Sequence, residues 1–596
     1  MADTEKLRTR QDYIHRVRGR IDGALRYYNT TLKGIYRRML QYYTGNHWGT
    51  PPGASAKGDL PDVDLVVVNR IMPSIHIKVA TLGFQDPEFY VRCPGCDDDS
   101  REEEELKVRE LMKSTWRRIQ AQDEIRLLDL DRRLFGYGIS RIGWWLEEQD
   151  GMIRVDEPRL SRVSPGRFLT DLDLTRPNLK HARWCAEVLY IPIEELQQNT
   201  EWEHVDKVVP TATEMPRLLS PANLADPKQS VARKSSTRPG YAVIYDYWDR
   251  QTGVHMIVPE APNDLVLMIE EDPFGFDDFF PFEILPNIIV PDMFYGISDP
   301  ESVENQQLEI NKLRSLSVTH AGRALPRLLT KQGALSPRGE KALEAGSTDV
   351  AVEVDGEYQG PMEDAARPLH MPNMNTEHRH IEFQSRIDFD EIIGVNDFKR
   401  GTPLGTKRTA TEVQQIAMQG GVRAEDDQQV YERFLKRNAE KLYHVLRRFQ
   451  DQPLVLEIVL PNGQSMVAIK PSELPENSEI DIVTGSTAFQ DRAQERADML
   501  TLTGYLAQIP VPIPPHLDPI VRRALRTFDL RPNEVDEIMD AMAQPPGGAG
   551  GIEELLAGMG QGEGNGESGG GPGGPVGPLP QGGAAPGAPV AGPFGA

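Results

Sequence analysis

Cysteine is scarce: Cys93, Cys96 and Cys185 are the three in a chain of 596 residues. So few thiols cannot build a disulfide framework, and the content suits a reducing compartment. Cys93-Pro-Gly-Cys96 is a lone C-x-x-C. A zinc site needs a second ligand pair that Cys185 alone does not supply, so the stretch reads as a loop turn. Long apolar runs are missing as well, and nothing approaches the roughly 18–20 residues that span a bilayer. The opening MADTEKLRTRQDYIHRVRGR is charged from the start and carries no apolar signal segment. Positive charge is in deficit. Lys and Arg number 66 against 90 Asp and Glu, a formal net charge of -24, which excludes a broad basic grip on nucleic acid but not light contact through a few cations. No Lys or Arg follows Arg531, and Pro545 to Ala596 is mostly Gly, Pro and Ala. Such a tail cannot bury enough apolar surface to order itself and is expected to be disordered.

What is present reads as soluble and globular, with 26% charged and 39% hydrophobic residues. The length exceeds one ordinary core and implies several lobes. The fold class is α+β, mainly helical. Tyr13, Val17, Ile21, Leu25 and Tyr28, then Leu32, Ile35, Met39 and Tyr42, recur at helical spacing up to Thr44-Gly-Asn46. Asn69 to Gly83 is apolar and helical in pattern. An acidic run, DDDSREEEE over 97–105, reads as a solvated loop or helix start. One long amphipathic helix is expected from Glu104 to Leu134, and then FGYGISRIGWW over 135–145 switches to strand. Segment 152–290 alternates short β-rich pieces with turns, as in YAVIYDYW (241–248) and VHMIVP (254–259).

The next segments are more informative. Residues 296–324 open with Ser298 and Glu301 at capping-box spacing, with Pro300 in the first turn, and predict one helix of about seven turns. It is polar for its length: Glu304, Asn305, Gln306, Gln307, Glu309, Asn311 and Lys312 leave only a thin apolar stripe. That pattern predicts a helix that lines something wet or packs against copies of itself. A compact excursion follows over 325–375, with a turn at Ser336–Gly339 and a strand in which Val350, Val352 and Val354 alternate with Ala351 and Glu353. Thr376 to Ile393 predicts a second helix. A glycine-containing loop comes next, and then a helix that starts at a Thr409/Glu412 capping box and passes through Gly420-Gly421 to about Gln450. A hairpin over 454–470 turning at Asn462-Gly463, a strand over 479–488 and helices from Phe489 to Met542 complete the pattern.

The loop FKRGTPLGTKRT invites comparison with a phosphate-binding loop, and fails it. Gly401 and Gly405 are one residue too close, Thr406 separates Gly405 from Lys407, and Arg408 stands where Ser or Thr should hold magnesium. His378 and His380 would point to different helix faces, so with His370 they form no ligand set. Asp171 and Asp173 suit turn capping better than metal binding. No nucleophilic triad stands out, and no catalytic, cofactor or metal residues are assigned. What the loop keeps is two basic pairs, Lys399-Arg400 and Lys407-Arg408, suited to touching a polyanion lightly. The competing reading is salt bridges to acids such as Asp390 or Glu412.

With those segments in view, the order of elements resembles the portal proteins of tailed bacteriophages. The likeness rests on FYGISDPESVENQQLEINKLRSLSV (294–318), with its aromatic-Tyr-Gly step, Pro-containing cap and polar helix in which Gln307 and Asn311 are the nearest matches to the family's register. It rests also on VNRIMPSIHIKVATLGFQDPEFYVRC (68–93) and EIDIVTGSTAFQDRAQERADML (479–500), and covers residues 20–530 by order of elements. The resemblance implies a ring, usually of twelve copies, at one capsid vertex of the virion, assembled in the bacterial cytoplasm and without a membrane. It implies N-terminal helices and an α+β wing over 1–295, stem helices over 296–324 and 376–395 around the clip of 325–375, and a tunnel loop at 396–408. The wing would resume over 409–490, with a helical crown over 491–542 and the tail at 543–596 outside the shared pattern. Double-stranded DNA would pass through the channel. The packaging terminase large subunit, head-tail adaptor proteins, and major capsid and scaffolding proteins would be partners. Lys399, Arg400, Lys407 and Arg408 are the expected DNA contacts, and Arg338 and Lys341 the expected clip contacts. An acidic channel lining would let DNA slide. The competing functions are a packaging ATPase or nuclease, and a virion scaffold that never meets DNA.

Overall fold

The computed structural model describes residues 11–48, 64–82, 85–96, 101–149, 152–213, 240–323, 376–395 and most of 410–483, with short pieces between 327 and 369. The described part begins with α1 (Gln11–Tyr27), continues through a π-helical stretch (Tyr28–Leu32), and ends this rod as α2 (Lys33–Thr44). Gly45 closes it at φ 87°, in the left-handed region where glycine is at ease. Tyr13, Val17 and Ile21 of α1 face one core, while Tyr36, Met39 and Tyr42 of α2 face another, with the π-helical stretch between them.

After an extended run, 64–70, come α3 (Ile71–Leu82) and β1 (Phe89–Arg92). Asn69 caps α3, its Oδ1 accepting from the N–H groups of Ile71 and Met72. The helix predicted as one from Glu104 to Leu134 is two: α4 (Arg101–Arg118) and α5 (Ala121–Phe135). They break at Gln120, which adopts φ 51°. No glycine or proline marks that break, so the sequence pattern runs straight through it.

β2 (Tyr137–Gln149) and β3 (Met152–Val163) form a long hairpin, and β2 pairs on its other edge with β9 (Phe282–Pro286). Between them lies an antiparallel five-stranded sheet of β4 (Phe168–Thr170), β5 (Trp184–Pro192), β6 (Tyr241–Asp249), β7 (Val254–Pro259) and β8 (Met268–Glu271), in that order, with a one-turn α6 (Ile193–Leu196) after β5. Period-two alternation divides β6. Val243, Tyr245 and Tyr247 pack under α1, while Ala242 and Ile244 face a smaller cluster with Leu196, Val208 and Leu267.

The predicted 296–324 helix is also broken, at Val303. A single turn, α7 (Asp299–Ser302), precedes α8 (Glu304–Arg323). The capping box is present in full: Ser298 accepts from the Glu301 N–H, and the Glu301 carboxylate accepts from the Ser298 N–H. Then come β10 (Arg327–Thr330), α9 (Pro337–Glu344), β11 (Ala366–Leu369) antiparallel to β10, and α10 (Thr376–Ile393), which packs on α8. Of the strand predicted at 350–354, only Val354 is described, bridged to Leu335. Gly394 ends α10 at φ 74°.

α11 (Ala410–Phe449) runs unbroken past Gly420-Gly421. β12 (Leu454–Leu460) and β13 (Gly463–Ile469) form the predicted hairpin, and β14 (Glu479–Ile482) pairs antiparallel with β1, Phe89 opposite Ile482. The parts before and after the α8–α10 excursion therefore share one core: Trp116, Leu128, Ile142 and Leu285 pack with Phe434, Leu442, Leu446 and Ile480. The segments expected to form the tunnel loop (396–408), crown (491–542) and tail (543–596), together with Thr409 and the side chain of Glu412, lie outside the described residues.

The turn reading of Cys93-Pro-Gly-Cys96 holds, since the Cys96 N–H donates to Cys93 O at 3.3 Å. The two thiols, however, are joined as a disulfide across a Cα separation of 5.5 Å, within ordinary bridging range. Asp171 and Asp173 are both held by Arg183, and the Asp173 N–H donates to the Asp171 carboxylate, as a capping role requires.

Candidate functional site

The α8–α10 pair is the distinctive part of the chain, and its base is built with unusual care. Phe294-Tyr295-Gly296 leads into it. A Cβ on Gly296 would lie 2.7 Å from the Ile288 carbonyl oxygen and 2.8 Å from that of Gly136, so only glycine lets these backbones pass. Asp299, in the first turn, is buried. Its carboxylate accepts from Lys78 Nζ at 2.9 Å and from Asn287 Nδ2 at 2.9 Å. Arg133 donates to Asn287 Oδ1 at 3.1 Å and pairs with Asp427 of α11, which also accepts from Arg132 at 2.9 Å. Burial drives the Asp299 carboxyl upward, but Lys78 and Arg133 outweigh it and leave it below the usual carboxylate range. Asp427 follows the same balance: Arg132 and Arg133 overcome burial and hold it at about 2. This network rivets the start of the excursion to α3, α5 and α11.

The polarity of α8 has a different cause from the one its sequence suggests. Gln307, Asn311 and Ser315 are fully buried and Thr319 nearly so. These four, spaced by four residues, accept backbone hydrogen bonds from alternate residues of the extended segment 64–70. The Arg70 N–H donates to Gln307 Oε1 at 3.1 Å, Val68 to Asn311 Oδ1 at 2.9 Å, Val66 to Ser315 Oγ at 2.9 Å, and Asp64 to Thr319 Oγ1 at 2.9 Å. The fit is metric. Four helical residues rise about 6.0 Å, and two extended residues advance about 6.6 Å. Alternate N–H groups of the strap are thus matched by a seam of side chains in place of a neighbouring strand. The expectation that the polar face of α8 is wet is corrected for this seam, because its polar atoms are spent on the subunit's own chain.

The solvent side of the pair is not uniformly polar. On α8, Leu316 and Val318 are exposed, and on α10 Ile381, Phe383, Ile387 and Ile392 are exposed, Phe383 to 61%. Exposed charges are of mixed sign, with Glu309, Lys312 and Arg314 on α8 and Glu377, Arg379 and Glu391 on α10. An acidic lining is therefore not what these helices display.

Of the residues singled out from sequence, Gln307 and Asn311 meet in the seam, with Gln307 Nε2 donating to Asn311 Oδ1 at 3.1 Å. Arg338 and Lys341 lie exposed on α9. Lys399, Arg400, Lys407 and Arg408 lie outside the described residues. Asp390, weighed as a salt-bridge partner for that loop, is engaged by Arg70 through two bonds. The strap itself was missed in the sequence. Its one signal is the four-residue repeat Gln307, Asn311, Ser315, Thr319.

The family model for the phage SU10 portal protein matches residues 97–531. The chain belongs to this portal family. No curated protein matches it. Membership makes it a structural component of a phage capsid, of a family that works as oligomeric rings with phage head and tail partners. Within the matched span lie both excursion helices, α9, α11 and the β12–β13 hairpin. The strap and α1–α3 precede it, so α8, within the match, is bonded to a part of the chain outside the family model. Among the described residues no helix is long and apolar enough to cross a membrane.

Proposed function

We propose that this portal protein closes into a ring at one capsid vertex, with α8 and α10 as its stem. The ring conducts DNA during packaging and ejection, and the 325–375 segment docks the terminase large subunit and later the adaptors. The observation that carries this is the surface of α10. Ser385, Phe389 and Ile393 form its buried stripe, yet four further large apolar residues remain outside. At 100° per residue, Ile381 and Ile392 fall on one side of that stripe and Phe383 and Ile387 on another. A helix in a ring has a neighbour on each side, and exposed apolar patches of this kind call for a partner. The work of packaging comes from a separate motor; this chain supplies the conduit and platform.

Purified protein imaged by negative stain should show rings with a central hole. Phe383→Asp combined with Ile387→Asp should yield monomers of native far-UV spectrum. Wild-type monomers with magnesium-dependent DNA or ATP hydrolysis would replace the portal reading with an enzymatic one. Neutralising Lys399, Arg400, Lys407 and Arg408 together should leave rings intact and reduce packaged DNA; undiminished packaging would remove the DNA-contact role from the loop.

A further inference from the structure

The seam on α8 ends in a histidine whose protonation state it dictates. Asn311 Oδ1 accepts from the Val68 N–H and from Gln307 Nε2, and Gln307 Nε2 also donates to Val68 O at 2.8 Å. Backbone groups therefore fix both amides in one orientation, and Asn311 has only its Nδ2 hydrogens left to offer. They point to His47 Nδ1, 2.8 Å away. The other ring nitrogen, Nε2, lies 2.8 Å from Tyr42 O, which can only accept. His47 must then be neutral, with its hydrogen on Nε2 and a lone pair on Nδ1. A second ring proton would set N–H against N–H at Asn311. Relief by flipping the amide would turn its NH2 toward the Val68 N–H and Gln307 Nε2, both donors.

We infer that His47 is a proton-operated latch on the 64–70 strap: neutral, it completes the seam, and protonated, it releases the strap from α8. Among the described residues, no other group nearby absorbs the charge. Tyr42 and Arg38 of α2 are both engaged by Glu304 of α8, Tyr42 at 3.1 Å and Arg38 at 3.3 Å. On the strap, Arg70 is held by Asp390, and Asp64 stands at the far end of the seam beside Thr319. On α3, His76 bonds the Tyr43 hydroxyl. The ring is buried and packs edge-on against Tyr42, with centroids 5.1 Å apart. Burial holds the imidazole below its ordinary value, with the Tyr42 bond opposing. The sign follows. The seam's contribution is complete above the ordinary histidine range and is lost as pH falls below it. The strap and His47 precede the region matched by the family model, and Gln307 and Asn311 lie within it.

Hydrogen–deuterium exchange on the full-length protein tests this. Protection of the amides of 64–70, corrected for intrinsic exchange, should fall about tenfold between about pH 7.5 and about pH 5, since each pH unit below a pKa shifts protonation tenfold. His47→Gln keeps an acceptor for Asn311 and a donor for Tyr42 O, so its protection should not change with pH. Asn311→Asp preserves the acceptors for Val68 and Gln307 and gives an imidazolium a partner, so the same amides should stay protected at low pH. Unchanged protection in the wild type, or an equal loss in His47→Gln or Asn311→Asp, would overturn the latch.

Discussion

Arg70 grips Asp390 with two hydrogen bonds, 2.9 and 2.8 Å, while its guanidinium lies 5.6 Å from the centre of the Phe389 ring. One side chain thus joins the strap's last residue to α10, as the seam joins the rest of the strap to α8. Both partners are about four-fifths buried. Removing either side chain takes both of these bonds from the other. Arg70→Ala is expected to destabilise by about 1–2 kcal/mol. Arg70→Lys should recover little, because the fork and the ring contact are both lost. Chemical denaturation midpoints of the single and double variants measure the coupling. Additive losses in Arg70→Ala and Asp390→Ala would show that the pair does not act as one.

Gly296 and Gly322 make an internal comparison. A Cβ at Gly296 meets backbone atoms that cannot step aside, whereas nothing lies within 4 Å of one at Gly322. Gly296→Ala should lower Tm or prevent soluble folding, with a loss above about 2 kcal/mol. Gly322→Ala, in the last turn of α8, should be neutral or stabilising by up to about 1 kcal/mol. Thermal unfolding of the two variants side by side reads the contrast. Equal behaviour would mean that the close approach at Gly136 and Gly296 is not tight.

Acid should loosen the base of the α8–α10 excursion through Asp427. Its folded-state value, about 2, lies below that of an unfolded aspartate. The stabilisation is therefore complete above about pH 4 and disappears as pH falls from about 4 toward 2. At neutral pH, Asp427→Asn should cost about 2 kcal/mol and flatten the stability profile in that acid window. Unfolding free energies between about pH 2 and pH 7 test it, and an unchanged slope in the variant would assign the acid sensitivity elsewhere.

Much of the fold was legible where the signal is local. Ser298 and Glu301 announced a cap that is there in both halves, Gly45 ends the first rod where its residue type suggests, and β6 and β7 fall on the segments whose alternation predicted them. Breaks without a sequence mark were not legible. Gln120 and Val303 interrupt helices although neither is glycine or proline. The seam was misread for a deeper reason. A polar side chain bonded to buried backbone and one bonded to water look alike in a sequence. The partner strap lies some 240 positions away from Gln307, so no local pattern points to it.

The pairing of β1 with β14 bears on how the chain is made. Phe89 is synthesised early and Ile482 near the end of the described chain, yet they stand opposite each other in one two-stranded sheet. Until the ribosome has delivered that last strand, Phe89–Arg92 is an open edge, and Trp116 and Leu111 lack the cover of α11. A chain terminated before β14 would therefore lack a finished lobe. Completeness of translation is written into the docking of the earliest strand.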